Sequence, residues 1–267
     1  MNPIAFLVVN GGLALALFVA LLGFQELGRR AGRARAERTK GESREGLGSI
    51  EGAVYGLLGL LLAFTFSGAA SRFEGRRTLI LQEATAIDTA YRRLDLLPAD
   101  PRALLRAKMA AYLDARLAAQ SAAKGIDAAW AALARSRQLK TELWDEALAA
   151  TQAAGSPAPQ MILPALNSAF DIATARAAAI YVHPPTALFV MLVGIALVAA
   201  FLVGNSMGAR GTRDTLHMMA YAGVLAVVIS VIVDLEFPRL GLIRIDAADR
   251  VLIELRQTMP SGPVAPR

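Results

Sequence analysis

The stretch that decides the fold is GAVYGLLGLLLAFTFSGAA, residues 52–70, which runs without one charged side chain and leads straight into SRFEGRRTLILQEATAIDTAYRRLDLLP, residues 71–98. A bilayer core of roughly 30 Å takes about 20 apolar residues in a helix. Residues 52–70 meet that length, so they read as a transmembrane span. No proline follows before Pro98. The helix is therefore expected to leave the membrane and continue as one rod, with Gly75 as its weak point.

Three further stretches have the same character. Ile4–Phe24 carries no charge and one amide, Asn10. Thr186–Gly204 carries no charge, and Thr215–Val233 lies between Asp214 and Asp234. Met-Asn-Pro puts no positive residue ahead of the first stretch, so it reads as a retained span rather than a signal peptide. The expectation is an all-α membrane protein with four spans and a soluble helical bundle between spans two and three. Its parts are a transmembrane hairpin over 1–70 (spans 4–24 and 52–70, joined by a basic loop, 25–50), a soluble helical domain over 71–185, a second hairpin over 186–235 (spans 186–204 and 215–233), and a C-terminal segment over 236–267. The last should hold a short helix, Ala247–Thr258, and a disordered tail from Pro260.

Within the insert, Ile80, Ala84, Ile87, Tyr91 and Leu94 recur at helical spacing. Pro98 and Pro101 break the chain, and Asp100 is placed to cap a helix bearing Leu105, Met109 and Tyr112. Gly125 and Asp127 restart the chain into a helix with Trp130, Leu133, Leu143, Trp144 and Leu148. A last helix carries Leu166, Phe170, Ala173, Ala177 and Ile180 before Pro184-Pro185. Four such amphipathic helices can share one core, with the aromatic residues inside it.

Of the 267 residues, 55% are hydrophobic and 19% charged, and cysteine is absent. That excludes disulfides and thiolate chemistry. The two histidines, His183 and His217, lie in different segments and read as interfacial. No phosphate loop, nucleophile elbow or metalloprotease helix is present, so neither an enzyme, a metal nor another cofactor is expected. The net charge of +6 falls mostly beside the apolar stretches. There a lipid surface, and not nucleic acid, is the simpler partner.

The spans hold no Asp, Glu, Lys or Arg away from their ends, which argues against ion-coupled transport. A passive pore needs none. Leu60, Phe64, Ser67 and Ser71 fall on one face of span two and would line an axis in a symmetric oligomer. A lipid-facing or helix-packed stripe has the same periodicity. Gly11, Gly12, Gly56, Gly59, Gly194 and Gly204 are either close-approach positions or ordinary membrane-helix glycines. The loop 25–50 carries seven Lys or Arg, and the loop between spans three and four carries Arg210 and Arg213. The positive-inside rule places both loops in the cytoplasm and the helical insert outside.

The segments LLAFTFSG (61–68), SRFE (71–74), AIDTAY (86–91), RLDLLP (93–98) and DLEFPRLGLIR (234–244) resemble the bacterial bestrophin-like membrane proteins. Through them the chain is distantly similar to bestrophins. The resemblance implies a multi-pass protein of the bacterial inner membrane and a homo-oligomer, a pentamer in bestrophins. It implies an anion channel lined by the second span. It further implies that the helical bulk and both termini are cytosolic, the reverse of what the basic loops predict. Bestrophins carry an aromatic neck followed by Thr-Arg-Trp, which Ser71-Arg72-Phe73 resembles. The neck positions then fall on Gly56, Leu60 and Phe64, with Gly56 departing from the bulky pattern. Leu60 and Phe64 would form a dewetting constriction, Thr65, Ser67 and Ser71 would offer hydroxyls, and Arg72 and Arg76 would draw small anions to one mouth. Glu236, Pro238 and Gly241 match the segment after the fourth span, while Asp246 and Asp249 are too sparse for a calcium cluster. The competing reading is a non-conducting sensor or scaffold whose helical domain binds a ligand or partner.

Overall fold

A computed structural model describes residues 3–38, 47–120 and 126–259. Among the described residues there are eight α-helices and no strand: α1 (Pro3–Arg38), α2 (Leu47–Arg93), a 3-10 turn (Leu94–Leu96), α3 (Ala99–Gln120), α4 (Ile126–Ala154), α5 (Ala158–Ala178), α6 (Thr186–Ala209), α7 (Thr215–Glu236) and α8 (Asp246–Thr258). The chain divides into two compact units. One comprises Pro3–Phe73 and His183–Ile243, the other Glu74–Val182 and 244–259.

The first unit holds α1, the N-terminal part of α2, α6 and α7, the four helices long and apolar enough to cross a membrane. The second span and its continuation are one unbroken helix of 47 residues; Gly75 does not interrupt it. The first span likewise does not stop at Phe24. It continues to Arg38, so the first half of the expected basic loop is helix. The run Arg-Ala-Arg-Ala-Glu-Arg from 33 to 38 consists of good helix formers, and Arg29 and Arg30 pair with Glu26 at 2.8 and 2.9 Å one turn back.

α1 crosses α6 at very close range. A Cβ on Gly28 would sit 1.9 Å from the Phe201 carbonyl oxygen, and one on Gly32 2.1 Å from that of Asn205. From the other side, a Cβ on Gly204 would sit 1.8 Å from the Gln25 carbonyl oxygen, and one on Gly208 2.0 Å from that of Arg29. Glycine at each position is therefore required by contact. Ala196, Ala200, Gly204 and Gly208 form a buried, four-spaced line along α6. In lipid, where the hydrophobic effect does not drive helices together, such small residues let dispersion contacts do so. Gly11, Gly12, Gly56, Gly59 and Gly194 meet nothing within 4 Å; of the glycines singled out in the spans, Gly204 alone serves the crossing. Around it Leu17, Leu21, Leu58, Leu192, Leu225, Ile229 and Ile232 fill the unit's core.

The second unit packs the remainder of α2 with α3, α4, α5 and α8. Ile80, Ala84, Ile87, Leu94, Leu105, Met109, Tyr112, Leu166, Phe170 and Ala173 are buried, as their spacing predicts. Two expectations fail. Trp130 and Leu148 are exposed at 55% and 37%, and the buried line of α4 is instead Ser136, Leu139, Leu143, Ala147 and Thr151. Ile180 is exposed because α5 ends at Ala178, and its last buried position is Arg176. The third helix begins at Ala99, one residue ahead of the expected Asp100 cap, and Asp100 sits in its first turn. Gly125, residues 39–46 and the expected tail from Pro260 lie outside the described residues.

Three of the buried charged groups of this unit, Glu83, Arg116 and Arg176, form one network. Glu83 is fully buried on α2. It accepts from Arg116 Nε of α3 at 2.7 Å and from Arg176 Nη1 of α5 at 2.6 Å. Arg176 Nη2 also donates to Asp249 of α8 at 2.7 Å. Two guanidinium groups thus face two carboxylates, the condition under which buried charge is tolerated. Asp88, Asp95 and Asp114 pair with arginines at the surface.

Candidate functional site

The residues expected to line a pore all lie on α2, and the first unit sorts them by face. Val54, Leu58, Leu61 and Ala69 pack into the core. On the opposite face Gly56, Leu60, Phe64, Ser67 and Ser71 are exposed within their own unit, Leu60 at 53% and Phe64 at 68%. A Cβ on Gly56 would meet nothing within 4 Å. Ser67 and Ser71 make no side-chain hydrogen bond among the described residues. Thr65 stands apart from these: it is half-buried, and its hydroxyl donates back to the carbonyls of Leu61 (2.8 Å) and Leu62 (3.1 Å). That bond satisfies a hydroxyl without water.

Arg72 ends this segment. Its Nε donates to Glu236 Oε1 at 2.9 Å, tying α2 to the end of α7. The guanidinium folds back over Gly68, where a Cβ would lie 3.2 Å from Nη1. Glu236 is 2% exposed, and its other oxygen lies 3.4 Å from His183 Nδ1. The His183 ring stacks on Phe237 with centroids 5.0 Å apart, and Phe237 meets Phe6 of α1 at 5.4 Å. Arg72 thus enters the first unit beside a buried carboxylate, so its charge is locally opposed.

Asp234, two residues before Glu236, shapes the turn that follows. Its carboxylate accepts from the backbone N–H groups of Leu242 (3.0 Å) and Ile243 (2.7 Å). A Cβ on Gly241 would fall 2.0 Å from Asp234 Oδ1. The run DLEFPRLG is therefore a cap: an acid to hold the turn, a proline to end the helix, and a glycine where the carboxylate passes. Neither Asp234 nor His183 was singled out for a role by sequence reading. Asp234 bonds backbone beyond the end of its own helix and His183, between α5 and α6, meets α7, and the only available signal for Asp234 was an acid at the end of an apolar run.

Arg76 lies in the second unit. It is 7% exposed, and it donates to the carbonyls of Ala179 (3.2 Å) and Val182 (3.0 Å). It thus satisfies carbonyls left open where α5 ends. Among the described residues no group of three His, Cys, Asp or Glu could hold a metal ion.

A family model described as a bestrophin-like domain matches residues 14–249. No curated protein and no solved structure matches the chain.

Proposed function

The chain belongs to the bestrophin-like family, and from that premise we propose that several copies assemble around α2 as a channel for small anions. The observation that carries this reading is the exposed face of α2. Its apolar part, Leu60 and Phe64, gives way to Ser67 and Ser71, whose hydroxyls have no protein partner among the described residues. Facing lipid, an unsatisfied hydroxyl costs free energy. Facing a water-filled axis it costs none, and it offers a dipole to a passing ion. Leu60 and Phe64 then form the constriction and Ser67 and Ser71 the wetted part beyond it. Thr65 contributes packing, since its hydroxyl is already used. Arg72 supplies positive potential at the polar end, reduced by Glu236.

Protein reconstituted into planar bilayers should carry chloride current, and Phe64→Ala should raise it by widening an apolar gate. Silent bilayers holding verified oligomer would overturn the channel. They would favour the second reading, in which the helical unit serves as a scaffold or sensor.

A further inference from the structure

We propose that the turn between α6 and α7 is a binding site for the headgroup of an anionic phospholipid, held by Arg210 and Arg213. α6 ends in a Schellman motif. The N–H of Thr212 donates to the Met207 carbonyl at 3.2 Å and that of Gly211 to the Gly208 carbonyl at 3.1 Å. Gly211 adopts a φ of +69°, which the reversal requires. Asp214 then caps α7, accepting from His217 N at 3.2 Å. The turn is therefore fixed by its own backbone, and it holds Arg210 and Arg213 outward. Both are exposed, and neither has an ion-pair partner among the described residues.

The neighbouring cations are differently placed. Arg29 and Arg30 share Glu26, and Arg33 pairs with Glu37 at 3.1 Å. The close contacts of Gly208 with Arg29 and of Gly32 with Ala209 bring this stretch of α1 beside the end of α6. The nearby acids, Glu26, Glu37 and Asp214, are all engaged. The patch consequently keeps an excess of positive charge centred on the turn.

Depth selects the ligand. Arg30 follows Phe24, where the first expected span ends, by six positions, and Arg210 follows Gly204, where the third ends, by six. At 1.5 Å per residue both backbones stand about 9 Å beyond the apolar limit, at the outer edge of a headgroup layer about 5–8 Å thick, so that an arginine side chain turned back toward the bilayer reaches the lipid phosphates. Leu27, Leu216 and Met219 are exposed at 56%, 75% and 50% on the flanking helices. They offer an apolar wall to an acyl chain beneath the arginines. A phosphodiester with net negative charge fits this arrangement, since guanidinium groups bind phosphate in a fixed fork geometry, and a zwitterionic headgroup carries its own counter-charge.

Native mass spectrometry of the detergent-solubilised protein with phosphatidylglycerol or phosphatidylcholine tests the site. The wild type should retain phosphatidylglycerol preferentially. Arg210→Gln and Arg213→Gln should each lower its retention roughly fivefold, and lysine at both positions, which restores the charge but not the fork, should restore only part of it. Retention should also fall with ionic strength, because the site is exposed. Arg92→Gln, at a surface pair remote in sequence, should retain lipid as the wild type does. Equal retention of both lipids by the wild type, unchanged retention in the double glutamine variant, or release of the lipid by millimolar inorganic phosphate would each overturn the proposal.

Discussion

At the scale of single residues, the second unit rests on Glu83. Both its oxygens are taken by arginines from other helices, and Arg176 carries the network on to Asp249. An ion pair of this kind adds little net stability compared with apolar packing, but removing one partner strands the others. Glu83→Ala leaves Arg116 and Arg176, each 8% exposed at the side chain, beside an apolar methyl. The expected loss is about 3–5 kcal/mol, with Glu83→Gln in between. Both tryptophans, Trp130 and Trp144, lie on α4. Tryptophan fluorescence in a urea titration therefore follows this unit alone, and an unchanged midpoint for Glu83→Ala would contradict the argument. In the sequence nothing sets Glu83, Arg116 and Arg176 apart from the other charged residues of their helices. A charged residue at a buried position has the same spacing as one at an exposed position, and only the partner's location distinguishes them.

At the scale of elements, the crossing of α1 and α6 is the strictest fit in the first unit. Carbonyl oxygens occupy the space that side chains at Gly28, Gly32, Gly204 and Gly208 would need, and backbone cannot yield as a flexible side chain can. Gly204→Ala should destabilise the protein by about 3 kcal/mol, the upper range for overpacking. Gly194→Ala has open space, and should be neutral or stabilising by under about 1 kcal/mol from helix propensity. Thermal midpoints in detergent compare the two, and equal shifts would refute the crossing. Gly204 was legible as a small residue in a span. Gly28, Gly32 and Gly208 were not, because they lie past the uncharged runs, in stretches that read as loop. The extension of α1 beyond Phe24 carries the contact further than hydrophobicity alone indicates. The phase of α4 was misread for a related reason. Trp130 and Leu148 are its conspicuous apolar residues, but the buried face is built from Leu139, Leu143 and the small residues Ser136, Ala147 and Thr151.

At the scale of the whole molecule, the question is what faces Leu60 and Phe64. The chain has no cysteine, so a single introduced thiol reports without background. If copies of α2 share an axis, Phe64→Cys should form disulfide-linked dimers on mild oxidation in membranes. Val8→Cys, equally exposed on α1 at 69%, should do so far less. Equal cross-linking at both positions, or none at either, would remove the shared axis while leaving the lipid site untouched.

The amino-acid sequence alone determined the helical class, the four spans, the short C-terminal helix and the family resemblance. Each depends on local quantities: runs of uncharged apolar residues, spacing along one helix, and contiguous motifs. The candidate face of α2 was legible for the same reason, as residues three and four apart on one helix. The tertiary structure decided which glycines touch backbone, which carboxylates bury, and that Thr65 turns its hydroxyl onto its own helix while Ser67 and Ser71 do not. Those outcomes depend on atoms from helices far apart in the chain meeting within a few ångströms, and no periodicity along a single helix encodes that meeting.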